Sequence, residues 1–168
     1  MLVSILDWIG YQGPYILGVF SSFFLWNKPN YFTFYWMGWI LNVVLNLLIK
    51  GIVQEPRPLE DLHIFNSEKE QLKRIGFDRY GMPSGHAQMV FYSVSFLYFV
   101  FRSNILLFTT LFLSIITNYQ RVKYKNHTIK QVVVGSLVGS FVGYAFYMIS
   151  DKKNMGVLEL KQDENGPL

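Results

Sequence analysis

Long apolar stretches alternate with short polar connections along the whole chain, and their lengths set the class of fold. Tyr31 to Ile49 runs 19 residues without a formal charge, and Asn104 to Tyr119 and Val132 to Ser150 are comparable. Each is close to the roughly 20 residues a helix needs to cross the hydrocarbon core of a bilayer. Strand-type alternation with regular turns is missing from the pattern, and an open sheet cannot satisfy its backbone in lipid. The pattern therefore predicts an all-α fold, a polytopic membrane bundle of about five transmembrane helices: Pro14 to Trp26, Tyr31 to Ile49, Ser84 to Phe101, Asn104 to Tyr119 and His127 to Ile149. Residues 1–150 read as one domain. Residues 151–168 read as a loosely ordered polar tail.

The connections fix the sidedness. Asn27 to Asn30 and Arg102-Ser103 are tight, so the spans they join are antiparallel. Lys50 then ends the second span, Ser84 begins the third, Arg121 ends the fourth and His127 begins the fifth, all at one membrane face. The long polar connection, residues 57–82, also lies there. Within it Ser67-Glu68-Lys69-Glu70 has capping-box spacing, which predicts a short amphipathic helix through Leu72 and Ile75, either a lid or a plain connection. His63, in the same loop, has no companion motif and reads as structural.

Helical spacing carries the polar residues of the spans toward this face. Asn42, Asn46 and Lys50 recur every four residues, and Ser114, Asn118 and Arg121 lie on one side of the fourth span. In the fifth, Gln131, Gly135, Gly139 and Gly143 continue a row from His127, and small residues at that spacing let helices approach closely in lipid. The Asn and Ser residues read equally as site or as glue between helices. Lys50, Arg57 and Arg121 do not, because three cations at one bundle mouth repel one another unless an anion or carboxylates share the site.

Composition sharpens the picture at two points. The net charge of +4 comes with 15 Lys and Arg, and nine of them sit in Lys50 to Arg79 and Arg121 to Lys125. Such clustering favours a phosphate-bearing ligand at the membrane over nucleic acid. The absence of cysteine removes disulfides, thiolate chemistry and cysteine-type metal sites.

The residue types then define a chemistry. Pro83 precedes a helix start whose first N–H groups, at Ser84, Gly85 and His86, are disposed to hold an anion. Arg57 and Arg121 present planar forks matched to phosphate, and Lys50 adds a point charge. Two histidines allow one nucleophile and one acid. His127, with Gln131 four residues on to accept from one ring nitrogen, suits the first role; His86, beside the anion-binding turn, suits the second. Asn126-His127-Thr128 also matches a glycosylation acceptor, which its place against the bilayer makes a coincidence.

Ordered as K-x6-R-P, P-S-G-H and R-x5-H-x3-Q, these residues resemble the type 2 phosphatidic acid phosphatase superfamily, also called PAP2, over about Asn42 to Gly143. The local text Gln54-Glu55-Pro56-Arg57-Pro58, Tyr80-Gly81-Met82-Pro83-Ser84 and His127-Thr128 with Gln131-Val132 is most similar to its dolichyldiphosphatase branch. The resemblance implies a haloperoxidase-like helical core and hydrolysis of the terminal phosphate of a polyprenyl diphosphate. It implies a metal-independent, cofactor-free route through a phosphohistidine on His127, with His86 as general acid, Gln131 orienting His127, and Lys50, Arg57, Ser84, Gly85 and Arg121 holding phosphate. It also implies a lumenal active face in the endoplasmic reticulum of a eukaryotic host, or the cell membrane otherwise. Phosphatidate or another lipid monophosphate, and a non-catalytic lipid-phosphate binder, are the alternatives. Three positions depart from the common pattern: Gln131 stands where most of the superfamily has Asp, Gln120 where it has Ser, and Gly85 where the branch usually has a second Ser.

Overall fold

A computed structural model describes residues 5–58 and 76–164, with side chains of the last helix through residue 156. The expected loop helix through Leu72 and Ile75, with His63, lies outside the described residues. Among the described residues five α-helices follow in order: α1 (Ile5–Leu25), α2 (Pro29–Val53), α3 (Gly85–Phe101), α4 (Asn104–Lys123) and α5 (Ile129–Glu164), with a 3-10 turn at Gly76–Arg79 before α3. The described residues contain no strand, and the chain is an all-helical membrane bundle. By length and composition α2, α4 and residues 129–156 of α5 are apolar enough to cross a bilayer. α3 has only 17 residues; it lies at the centre, packed against all four other helices.

This arrangement explains where the polar residues went. α2, α4 and α5 turn large apolar side chains outward, among them Ile40, Val44, Phe108, Phe112, Ile115, Leu137 and Phe141, all exposed on the bundle and suited to lipid. Their inner faces hold Asn42, Asn46, Thr110, Ser114, Thr117 and Gln131, all buried. Each buried polar group in lipid needs a partner. Tyr92 donates to the Tyr35 carbonyl at 2.7 Å, and the hydroxyls of Tyr35 and Ser93 share a bond of 2.7 Å. With Phe96, Leu97, Leu25 and Val142 these tyrosines form the buried cluster away from the polar mouth.

The glycine row of α5 sets the tightest contact. A Cβ on Gly135 would stand 2.5 Å from the Ser84 carbonyl, and on Gly139 and Gly143 it would run into the Gln88 and Tyr92 carbonyls. Backbone thus meets backbone where α5 crosses α3, as small residues permit.

Several boundaries differ from the sequence reading. α1 begins at Ile5 and runs through Pro14, instead of starting there. The proline removes one helical bond, a loss that neighbouring helices make tolerable within a bundle. Gly10 and Gly13 let this stretch press against Gln120 and Thr117 of α4. Ser84 is the N-cap of α3 and not its first residue, and α5 begins at Ile129, leaving His127 in the turn before it. The chain after Ser150 is helical to Glu164 and is not the loose tail expected. Tyr31 donates to Asp151 at 2.7 Å and Asn30 to Asn154 at 2.6 Å, tying this extension to the start of α2.

Candidate active site

The C-terminal ends of α2 and α4 and the N-terminal ends of α3 and α5 meet at one end of the bundle. They enclose a cavity of about 460 Å³ lined by Lys50, Arg57, Gly85, His86, Arg121 and His127 together with Tyr11, Tyr15, Asn46 and Asp78. Six of the eight site residues expected from the sequence therefore share one cavity wall. The other two, Ser84 and Gln131, stand immediately behind it, where the Ser84 N–H donates to the Gln131 carbonyl at 3.0 Å. That bond corrects one expectation: the Ser84 N–H is not available to an anion. The first turn of α3 leaves the N–H groups of Gly85, His86 and Ala87 instead. The Ser84 hydroxyl is fully buried and has no hydrogen-bond partner among the described residues.

The cations are held by the protein before any ligand arrives. Lys50 and Arg121 are only 2% and 4% exposed, a costly state for a charge without compensation. Compensation comes from Asp78, on the 3-10 turn, whose carboxylate pairs with Lys50 and lies 3.5 Å from Arg57 Nη2. Arg57 also donates from Nη2 to the Asp78 carbonyl and from Nη1 to the Asn126 carbonyl, both at 3.0 Å. Arg121 Nε donates to Gln120 Oε1 at 2.6 Å, and its guanidinium lies 5.1 Å from the centre of the Tyr11 ring. Among the described residues, the Asp78 carboxylate is the one that faces these three cations.

His127 has its tautomer set from both sides. Arginine only donates and a carbonyl only accepts. Arg57 Nη1 stands 3.0 Å from His127 Nε2, so Nε2 carries the lone pair. Nδ1 then carries the proton and donates to the Gly81 carbonyl at 2.9 Å and to Gln131 Oε1 at 3.2 Å. Burial pushes this imidazole well below the ordinary histidine range, and the nearby Arg57, Lys50 and Arg121 cations push it further. His127 is thus a neutral base with Nε2 directed to Arg57. His86 is approached from another side, by Tyr11 of α1, whose ring centre lies 6.0 Å from that of the imidazole.

Gln131 is as firmly placed. Its Oε1 accepts from the Thr128 N–H at 3.2 Å as well as from His127. Its Nε2 donates to Glu55 Oε1 at 2.9 Å and to the Pro56 carbonyl at 2.8 Å. A reversed amide would face two donors with its NH2 and two acceptors with its oxygen.

Asn42 and Asn46 prove to be joined to a third amide. Asn46 donates to Gln88 Oε1 at 2.8 Å, and Gln88 donates to Asn42 Oδ1 at 2.7 Å, so this trio clamps α2 to α3. Asn118 bonds Ser136 at 3.1 Å and Ser114 bonds its own helix at Thr110; both are structural. Gln88, Asp78, Tyr11 and Glu55 were not among the expected site residues. Tyr11 falls before the expected start of the first span, and Asp78 and Glu55 reach the site through turns that carry no periodicity.

The PAP2 superfamily model matches residues 17–155 of this chain, which cover the cavity-forming ends of α2 to α5. The chain belongs to the PAP2 superfamily. The chain is 33% identical over 131 residues to dolichyldiphosphatase 1 of Mus musculus, covering 68% of this chain and 51% of that protein. It is 26% identical over 164 residues to dolichyldiphosphatase 1 of Homo sapiens, covering 88% and 65%. It is also 28% identical over 159 residues to lipid phosphate phosphatase gamma of Arabidopsis thaliana, covering 86% and 65%. The chain therefore spans from about half to about two thirds of the length of these relatives. No solved structure matches it.

Proposed function

We propose that this integral membrane protein is a lipid phosphatase that removes the terminal phosphate of a polyprenyl diphosphate of the dolichyl type. The observation that carries the reading is the His127 imidazole, held neutral with its Nε2 lone pair toward Arg57 at the wall of a cavity that also holds Lys50, Arg121 and His86. A cavity lined by several cations with a neutral nucleophile suits phosphoryl transfer, in which catalysis is chiefly positioning and charge stabilisation.

Lys50, Arg57 and Arg121, with the first-turn N–H groups of α3, take the oxygens of the terminal phosphoryl group. Nε2 of His127 attacks phosphorus, the bond from phosphorus to the bridging oxygen breaks, and His86 gives that oxygen a proton as the lipid monophosphate leaves. Water then attacks the phosphohistidine while His86 takes its proton. The P–N bond breaks, phosphate departs, and the electron pair returns to Nε2. Stabilisation of the imidazolium-like ring falls to the carbonyl acceptors at Nδ1.

The apolar side of the cavity supports a lipid substrate. Tyr15, Val43, Leu47 and Met89 line it, and α1 and α2, which flank it, share little packing. We infer a lumenal or extracytoplasmic active face. A second reading, hydrolysis of phosphatidate or another lipid monophosphate, is favoured by the likeness to lipid phosphate phosphatase gamma.

Phosphate release from dolichyl diphosphate, undecaprenyl diphosphate and phosphatidate, measured on purified protein in detergent with chelator, tests both readings. The diphosphates are expected to turn over fastest and His127→Ala to abolish release. Faster turnover of phosphatidate moves the substrate to the second reading. No release from any lipid, or release undiminished in His127→Ala, contradicts the enzymatic reading altogether.

A further inference from the structure

Both acceptors at His127 Nδ1 are anchored to one residue. The Gly81 N–H donates to the Glu55 carbonyl at 2.8 Å, which holds the Gly81 carbonyl against the ring. The Glu55 carboxylate accepts from Gln131 Nε2, which turns Gln131 Oε1 to the ring. Glu55 does not line the cavity, so it has no direct access to substrate. Its charge is nevertheless only an amide away from the reacting imidazole.

We infer that Glu55 is a positioning residue for His127, its carboxylate locking the Gln131 amide and supplying through it the negative charge that a neutral glutamine beside the imidazole lacks. The inference rests on the reading of His127 as nucleophile. It gives Gln131 a physical rationale: carboxylate, amide and imidazole form a chain in which every hydrogen bond has one donor and one acceptor. Gln131 relays polarity because its NH2 donates outward to Glu55 and its oxygen accepts inward from Nδ1. The Glu55 carboxyl is held below the usual carboxylate range by the Gln131 bond and by Lys130, which donates to Glu55 Oε2 at 3.1 Å. It is therefore ionised at neutral pH. Among the described residues, the other charged and titratable groups facing this chain are Arg57, Lys50 and Arg121 on the cavity side of His127, with Asp78 and His86.

The isosteric pair Glu55 and Gln131 permits a charge-exchange test. Glu55→Gln removes the charge and keeps the shape. Gln131→Glu sets a second carboxylate against Glu55 and the Pro56 carbonyl. The double variant Glu55→Gln/Gln131→Glu restores one carboxylate bonded to one amide, with the charge moved beside Nδ1. Each single variant is expected to lose on the order of tenfold to a hundredfold in kcat, the range for outer partners of metal-bound imidazoles, with KM little changed because neither residue holds phosphate. The double variant is expected to recover part of the loss, since it restores the bond between residues 55 and 131 but not the one to the Pro56 carbonyl, and such a coupling is one that separate structural defects do not produce. In parallel, the His127 ring, followed by NMR, is expected to titrate at lower pH in Glu55→Gln than in the wild type and at higher pH in the double variant.

Unchanged kcat and unchanged ring titration in Glu55→Gln overturn the inference. So do additive losses in the double variant, which mark a fold defect, and an undisturbed Gln131→Glu. Wild-type turnover and the loss of turnover in His127→Ala are run alongside. Failure there strikes the proposed function, while the ring titration still reads the Glu55 effect on its own.

Discussion

Lys50 and Asp78 show how a single ion pair prepares the site and opposes its ligand. A buried ammonium with an anion beside it is tolerable, and Asp78, half exposed, supplies that anion to both Lys50 and Arg57. On the proposed function, a phosphoryl group entering the cavity takes over this role. Asp78→Asn is expected to lower the inhibition constant of orthovanadate or phosphate, by up to about fivefold given the roughly 1 kcal/mol of a partly exposed pair; weaker inhibition in the variant runs against this competition. His127 gives a second expectation at this scale. Its imidazole lies below the ordinary range because burial and three cations disfavour the charged ring. A base with a depressed pKa stays unprotonated as pH falls, so in the ligand-free protein NMR titration of the ring should place its midpoint below about 6.5. A midpoint at or above that value contradicts the placement of His127 among these cations. Lys50, Arg57, Arg121 and the two histidines were legible in the sequence because each sits at a fixed offset from the end of an apolar run. Asp78 and Glu55 were not, because their partners are chosen by the path of the turns between α2 and α3, where no repeat ties position to direction.

At the scale of elements, the glycine row of α5 determines how close the two halves of the site can come. Gly135 abuts the Ser84 carbonyl directly, and the Ser84 N–H bonds the Gln131 carbonyl one turn earlier. The helix contact and the turn at the start of α3 are thus a single piece of structure. Gly139→Ala inserts a methyl group into the Gln88 carbonyl, and overpacking of this kind costs about 1–3 kcal/mol. Thermal unfolding in detergent should show the loss, with a fall in activity because Ser84 and His127 are displaced relative to each other. An unshifted unfolding temperature would mean that α3 and α5 pack more loosely than their backbone contact implies. The row was readable from its spacing of four. The extent of α1 and of α5 was not: Pro14 marks a boundary by local preference, yet packing of Gly10 and Gly13 on α4 carries the helix through it. The polar stretch after Ser150 remains helical, tied at its beginning to α2 by Tyr31 and Asn30.

Across the whole molecule, lipid and ligand divide the residues between outside and inside. Apolar side chains face outward from α2, α4 and α5, small and polar ones face α3, and the cations collect where four helix ends meet. The all-helical membrane architecture followed from run lengths, but α3 shows what run length misses. It has 17 residues and a markedly buried surface, so its polar Gln88, Ser93 and Ser95 are shielded from lipid by its neighbours. The central claim is that these ends converge so that His127 takes a phosphoryl group from a lipid phosphate. Incubation with polyprenyl diphosphate carrying a radiolabelled terminal phosphate, followed by rapid quenching in alkali and peptide mapping, tests it most directly. The expected result is an acid-labile, alkali-stable label on the peptide containing His127, lost in His127→Ala. Rapid release of labelled phosphate with no label on that peptide, under conditions that trap a phosphohistidine standard, would contradict it.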